Sequence, residues 1–298
     1  MGCLVHGEEC SFSLREEDVE KGSEYVVEVI ARALSRVCAK RCKNGRRHAE
    51  HLWIQCDNAS GENKNQWMTR FAGVLVDRGL FETVVIGFLR KGHTHEDLDA
   101  IFGVLSGHVG SQLAWNSPDE MLEHVHRRMT AHLRPLDVHA GVLDQVRNWK
   151  EWLEPLDDIK SSRGVVNITG VDAAHWFCFC RRSTVPVDYA TRLMPSAAGE
   201  SPSDVVLLVK NFIHDSDLSQ DIITFCHSGS SWRLPRSPPT WRPKQFFTPE
   251  YVQGLRVLVG KIREHFPERS QAIHYLNAWM SLPRLVGTNF PVHGTRAC

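Results

Sequence analysis

No stretch of this 298-residue chain approaches the roughly 18 consecutive apolar residues that a membrane-spanning helix needs. The start lacks a basic segment followed by an apolar one, so no secretory signal is read there. Met1-Gly2-Cys3 superficially suggests acylation. However, His6 stands where the myristoylation pattern requires Ser or Thr. An excess of one charge is also missing: 35 Lys and Arg balance 35 Asp and Glu. No global field therefore favours nucleic acid, and any such contact must come from local patches. Lys40 to Arg47 (KRCKNGRR) and Trp232 to Lys244 (WRLPRSPPTWRPK) are the basic candidates. The nine cysteines are odd in number and scattered, with no C-x-x-C pair. That pattern argues for reduced thiols in a nuclear or cytoplasmic protein. There is no internal repeat. What remains is ordinary globular composition, 42% hydrophobic and 23% charged, in a chain long enough for one large domain or two smaller ones.

Patterning predicts an alternation of strands and helices. Cys3 to Leu14 reads as a strand or hairpin. Ser23 reads as an N-cap for a helix over Glu24 to Lys40, with Val26, Val27, Ile30, Leu34 and Val37 at helical spacing. Leu52 to Cys56 is a strand. A helix is expected from Ser60 or Gly61, with Gly79 as its stop. Thr83 to Leu89 reads as a strand buried on both faces. A third helix is expected from Glu96 or Asp97, and Ser117-Pro118 opens a fourth. Val165 to Arg181 reads as a β-hairpin, and Pro249 to His265 and Gln271 to Leu282 as closing helices. Val205 to Phe212 is apolar and of ambiguous type. This order favours an α/β layer architecture.

Chemistry concentrates between Cys56 and Asp99. Asp57 ends the strand Leu52 to Cys56, at the carboxyl edge where ligands of open α/β sheets gather. An Asp followed by Asn58-Ala59-Ser60 also suits a plain turn or cap. Lys64 and Asn65 sit in the polar block Glu62-Asn63-Lys64-Asn65, which opens a helix and faces either water or phosphate. After the second strand, Arg90-Lys91-Gly92-His93-Thr94-His95-Glu96-Asp97-Leu98-Asp99 packs imidazoles and carboxylates unusually densely. Its acids alone suit a helix start, but His93 and His95 are not needed for that. Cys38, Cys42, His48 and His51 have zinc-ligand residue types. Their Cys-to-His gap is far shorter than a zinc finger's, and the cysteines fall in a helical pattern.

These blocks, Cys56-Asp57-Asn58-Ala59-Ser60-Gly61-Glu62-Asn63-Lys64-Asn65 and Phe88-Leu89-Arg90-Lys91-Gly92-His93-Thr94-His95-Glu96-Asp97-Leu98-Asp99 with Ala100-Ile101-Phe102-Gly103, resemble a eukaryotic family. It is a domain of unknown function found in transposon-derived, transposase-like proteins. The shared pattern is D-N-x-x-x-x-N-K-N, then F-L-x-x-G-H-T-H-x-D-x-D and an aromatic residue with a small neighbour. Leu4-Val5-His6-Gly7 also looks like that family's approach to the block. The resemblance is specific over roughly residues 1–110 and diffuse beyond. It implies an RNase-H-like, integrase-type mixed sheet flanked by helices. In such a fold carboxylates end the first and fourth strands, and a third follows the fifth on a helix. Together they hold two Mg²⁺ or Mn²⁺ ions at a DNA phosphodiester. On that reading Asp57 is the second carboxylate and Glu96, Asp97 or Asp99 the third. The metal ligands are Asp57, His93, His95, Asp97 and Asp99. The catalytic set is Asp57, Glu96 and Asp99, and Lys64, Asn65, Arg90 and Lys91 face the nucleic acid. The first two strands, and the first carboxylate with them, are expected to be missing, so the core reads as incomplete at its N-terminus and impaired.

The implied organisation is a partial core over 1–112, a helical extension over 113–160 and a β-hairpin-containing region over 161–227. A Pro-, Ser-, Trp- and Arg-rich connector follows over 228–247, then C-terminal helices over 248–298. Two other functions compete. A zinc hydrolase of the metallo-β-lactamase type would use His93, His95 and Asp97, but Leu98 stands where that motif continues with His. A non-catalytic nucleic-acid-binding remnant would keep Lys64, Arg90, Lys91 and the KRCKNGRR loop for phosphate contacts.

Overall fold

The computed structural model describes residues 1–15, 19–59, 61–89, 97–110, 115–154, 160–161, 164–165, 174–190, 205–218, 222–224, 241 and 249–280. The chain opens with β1 (Gly2–Val5), β2 (Glu9–Arg15) and α1 (Ser23–Lys43). Then come β3 (His51–Cys56), α2 (Gln66–Asp77), β4 (Thr83–Phe88) and α3 (Asp97–Gly110). The middle holds α4 (Pro118–His132), β5 (Asp137–Leu143), α5 (Trp149–Leu153), β6 (Lys160–Ser161) and β7 (Gly164–Val165). The remainder is β8 (Trp176–Arg181), α6 (Val187–Ala190), β9 (Val205–Lys210), β10 (Ile223–Thr224), α7 (Pro249–His265) and α8 (Ser270–Met280). The architecture is α/β with two mixed sheets flanked by helices. A two-stranded pair, β6 with β7, stands apart from them.

The chain divides into two units whose segments interleave. One comprises Met1–Glu20, Ala100–Gln145 and Arg242–Cys298; the other comprises Lys21–Asp99 and Val146–Trp241. In the first, β1 and β2 form an antiparallel hairpin around Gly7, whose φ of 73° suits a residue without Cβ. β5 then pairs parallel to β2 along its whole length, from Glu9↔Asp137 to Arg15↔Leu143. Cys10 and Phe12 of β2 and Val138 of β5 pack with Ile101 of α3 and with Val125 and Met129 of α4. The Cys10 thiol is pushed up to about 12, first by burial and then by Cys3 and Glu9.

The second unit holds the five-stranded sheet, in the order β10-β9-β8-β4-β3. β3 and β4 are parallel and joined through α2, as parallel neighbours require a crossover. β8 runs antiparallel to β4, and β9 antiparallel to β8. Val84 and Ile86 of β4, Phe177 and Phe179 of β8, and Leu207 of β9 are fully buried. α2 packs on this sheet, with α1 and α5 beside it. Glu28 of α1 is entirely buried and bonded: it accepts from Arg32 Nε at 2.8 Å, Trp149 Nε1 at 2.9 Å and Arg147 N at 3.2 Å.

Several expectations need correction. One mixed sheet was expected to absorb the N-terminal hairpin, but that hairpin pairs with β5 in a separate three-stranded sheet. β5 (DVHAGVL) lay within the expected helical extension; its run is short and broken by Gly141, so periodicity does not mark it. Ser23 does not cap α1; Gly22 holds the cap position and Ser23 is the first helical residue. α2 starts not at Ser60 or Gly61 but at Gln66, for a reason that belongs to the site. The apolar run from Val205 is strand β9, and β8, expected in a local hairpin, instead joins β4 and β9.

Candidate functional site

The site is built where β3 ends. The parallel ladder continues one bond beyond β4, with Leu89 N donating to Cys56 O at 3.3 Å. Cys56 and Leu89 therefore lie side by side at the same edge of the sheet. Asp57 is exposed at that edge. Its Oδ1 accepts from Ala59 N at 3.1 Å, an Asx turn, and also from Asn63 Nδ2. The amides of Glu62, Asn63 and Lys64 all converge on the Ala59 carbonyl, at 3.3, 2.8 and 3.0 Å. The Lys64 amide, which a helix from Ser60 would bond four residues back, is drawn to Ala59 instead, and α2 begins later. Asn65 caps it, accepting from Trp67 N at 3.1 Å and Met68 N at 3.2 Å. α2 ends in a Schellman motif at Gly79, with Leu80 N donating to Leu75 O and Gly79 N to Val76 O.

The knot aims oxygen atoms inward. Asn58 Oδ1 and Asn63 Oδ1 are buried and accept no hydrogen bond among the described residues. The Asn63 amide orientation is fixed by chemistry, because its Nδ2 faces a carboxylate and the reverse would set oxygen against oxygen. Among the described residues no bond reaches the second carboxylate oxygen of Asp57. One carboxylate oxygen and two carboxamide oxygens in a single loop are the donors that Mg²⁺ or Mn²⁺ takes. By donor type, the residues fit a hard divalent cation.

The other predicted residues divide as follows. Asp97 and Asp99 open α3, both exposed, in its first turn. Arg90, Lys91, His93, His95 and Glu96 lie outside the described residues. Lys64 is 3% exposed, and its Nζ stands 5.6 Å from the centroid of the Phe88 ring. Asn65 spends its side chain on the α2 cap and on the Glu62 carbonyl. Lys21 reaches the same loop, pairing with Glu62 at 2.8 Å. Of the proposed zinc set, Cys38 and His48 meet, with Sγ 3.7 Å from Nε2, whereas burial raises the Cys38 thiol.

Among the described residues, Asp57, Asp97 and Asp99 do not form a three-ligand cluster. The group that does is Glu50, His51 and Glu82, whose ligand atoms lie within 4.8 Å of one another. Sequence reading noted only His51. The usable signal is that each strand of a parallel βαβ pair is preceded by Glu, which sets the two side by side.

The chain belongs to the family described as a domain of unknown function (DUF7869), whose match covers residues 1–186. No curated protein and no solved structure matches it. No helix among the described residues is long and apolar enough to cross a membrane.

Proposed function

We propose that the carboxyl edge of β3 and β4 binds Mg²⁺ or Mn²⁺ and serves DNA phosphodiester chemistry, as in the transposon-derived, RNase-H-like nucleases that its motifs resemble. The observation that carries this reading is Asp57, with one carboxylate oxygen unbonded among the described residues, in the same loop as two buried carboxamide oxygens that have no partner among them. Burying such oxygens without partners costs free energy, which a cation would offset. Asp57 is the ligand. Asn63 positions it, since its Nδ2 holds Oδ1 and leaves the other oxygen unbonded among the described residues. Asn65 keeps the knot rigid by fixing the start of α2. Asp97 and Asp99, with Glu96, His93 and His95 of the same block, supply the remaining ligands. A bound ion would polarise a phosphoryl oxygen and lower the pKa of a water.

A second reading keeps binding and drops catalysis. It is favoured by the lack, among the described residues, of a three-ligand cluster around Asp57. A nicking assay on supercoiled DNA with Mn²⁺ separates the two. Nicking that disappears in Asp57→Asn supports catalysis. Salt-sensitive DNA binding without nicking supports the remnant. If Mn²⁺ neither binds nor stabilises the wild-type chain, the metal-dependent reading fails.

A further inference from the structure

We infer that the chain carries a second, independent metal site at the opposite end of β3 and β4, built by Glu50, His51 and Glu82 for a borderline transition ion of the Zn²⁺ type. The strand register creates it. His51 pairs with Thr83 at the start of the parallel ladder. One residue earlier, the Glu50 carbonyl accepts both Glu82 N, at 2.7 Å, and Thr83 N, at 3.3 Å. Those two bonds hold Glu50 and Glu82 next to each other on adjacent strands. Like charges set side by side in this way oppose strand pairing. His51 then brings a ring nitrogen to the same point. One ligand atom from each residue lies within 4.8 Å of the other two. No hydrogen bond or ion pair joins these three side chains to one another among the described residues. They converge without satisfying each other, as ligands around a common centre do.

The only ion pair on the trio among the described residues is Arg47 with Glu50, at 3.2 Å. Its side chains are 90% and 45% exposed, so solvent screens it and a divalent ion can displace it. One imidazole and two carboxylates suit Zn²⁺, Co²⁺ or Mn²⁺ better than Ca²⁺ or Mg²⁺, which prefer all-oxygen sites. All three residues are exposed, so water completes the coordination shell. The ion would clip the starts of two parallel strands together and neutralise their facing carboxylates.

The site is separate from Asp57, which lies at the other end of the same strand. The test is calorimetric titration of the full chain with Zn²⁺, repeated on Glu82→Gln, His51→Ala and Asp57→Asn, with Cys38→Ala as a check on the nearby thiol. All three ligand side chains are at the surface, so the variants keep the fold. The expected result is one site whose affinity falls more than about tenfold in Glu82→Gln and His51→Ala, since even outer-shell changes cost that much. Asp57→Asn and Cys38→Ala leave it unchanged. Co²⁺ should give visible ligand-field bands in the wild type that His51→Ala abolishes. Zn²⁺ binding that survives both Glu82→Gln and His51→Ala, or no binding at all, overturns the proposal. Loss of Zn²⁺ in Asp57→Asn alone would assign the ion to the other edge.

Discussion

Glu28 shows how single residues carry this fold. Its carboxylate is fully buried yet bonded to Arg32, Arg147 and Trp149, so α1 and the chain around α5 are tied through one side chain. Glu28→Ala leaves the buried Trp149 indole N–H and two half-buried arginines without their partner. It should cost about 2–3 kcal/mol in urea unfolding; a loss under about 1 kcal/mol would contradict that role. Asn65 makes a smaller claim. As the α2 cap, Asn65→Ala should cost about 1 kcal/mol by the same measurement. Lys64 sits under Phe88 rather than in solvent. Lys64→Met should therefore leave the salt dependence of any DNA binding unchanged, whereas a phosphate-contacting lysine would lower the slope by about 0.9. The sequence exposed Asp57 as a strand-end carboxylate because apolar runs mark strand ends clearly. It could not show that Asn65 caps and Lys64 turns inward. Those roles depend on three amides meeting at the Ala59 carbonyl, a loop closure that periodicity does not encode.

At the level of elements, strands and helices with strong patterning were legible. β3, β4 and α4 fall where their apolar spacing and the Ser117-Pro118 start place them. Pairing was not legible. β2 finds its parallel neighbour in β5, more than 120 residues later, and nothing local to either strand names the other. β2 also carries a pH signature. The Cys10 thiol is held up near 12 in the folded protein against about 9 unfolded. A raised thiol contributes stability that is complete below pH 9 and lost as pH climbs towards 12. Wild-type stability should therefore drop across that window, and Cys10→Ala should flatten the drop. A profile that is the same in both chains would exclude the thiol as the cause. β3 adds a packing detail. Trp53 is 53% exposed, and its indole lies over Gly87 on the neighbouring strand, with Nε1 3.5 Å from where a Cβ would stand. An Ala there meets ordinary contact, so Gly87→Ala should be tolerated within about 0.5 kcal/mol.

For the whole molecule, two units are woven from alternating segments of one chain. The five-stranded sheet carries both candidate ion sites, at opposite ends of β3 and β4. Composition bounded this arrangement without revealing it: a net charge of zero excludes only a global field that would draw nucleic acid. The family match over residues 1–186 spans the segments that hold both sites. The central proposal is that Asp57 and the two buried carboxamide oxygens of its loop bind a hard divalent cation. The most direct measurement is the thermal unfolding midpoint of wild type and Asp57→Asn, titrated with Mn²⁺ after chelation, with His51 replaced by Ala in both chains to silence the other end of the strand. The account predicts a midpoint that rises with Mn²⁺ when Asp57 is present, saturating as a single site, and stays flat when it is Asn. An equal rise in both chains, or none in either, would contradict it.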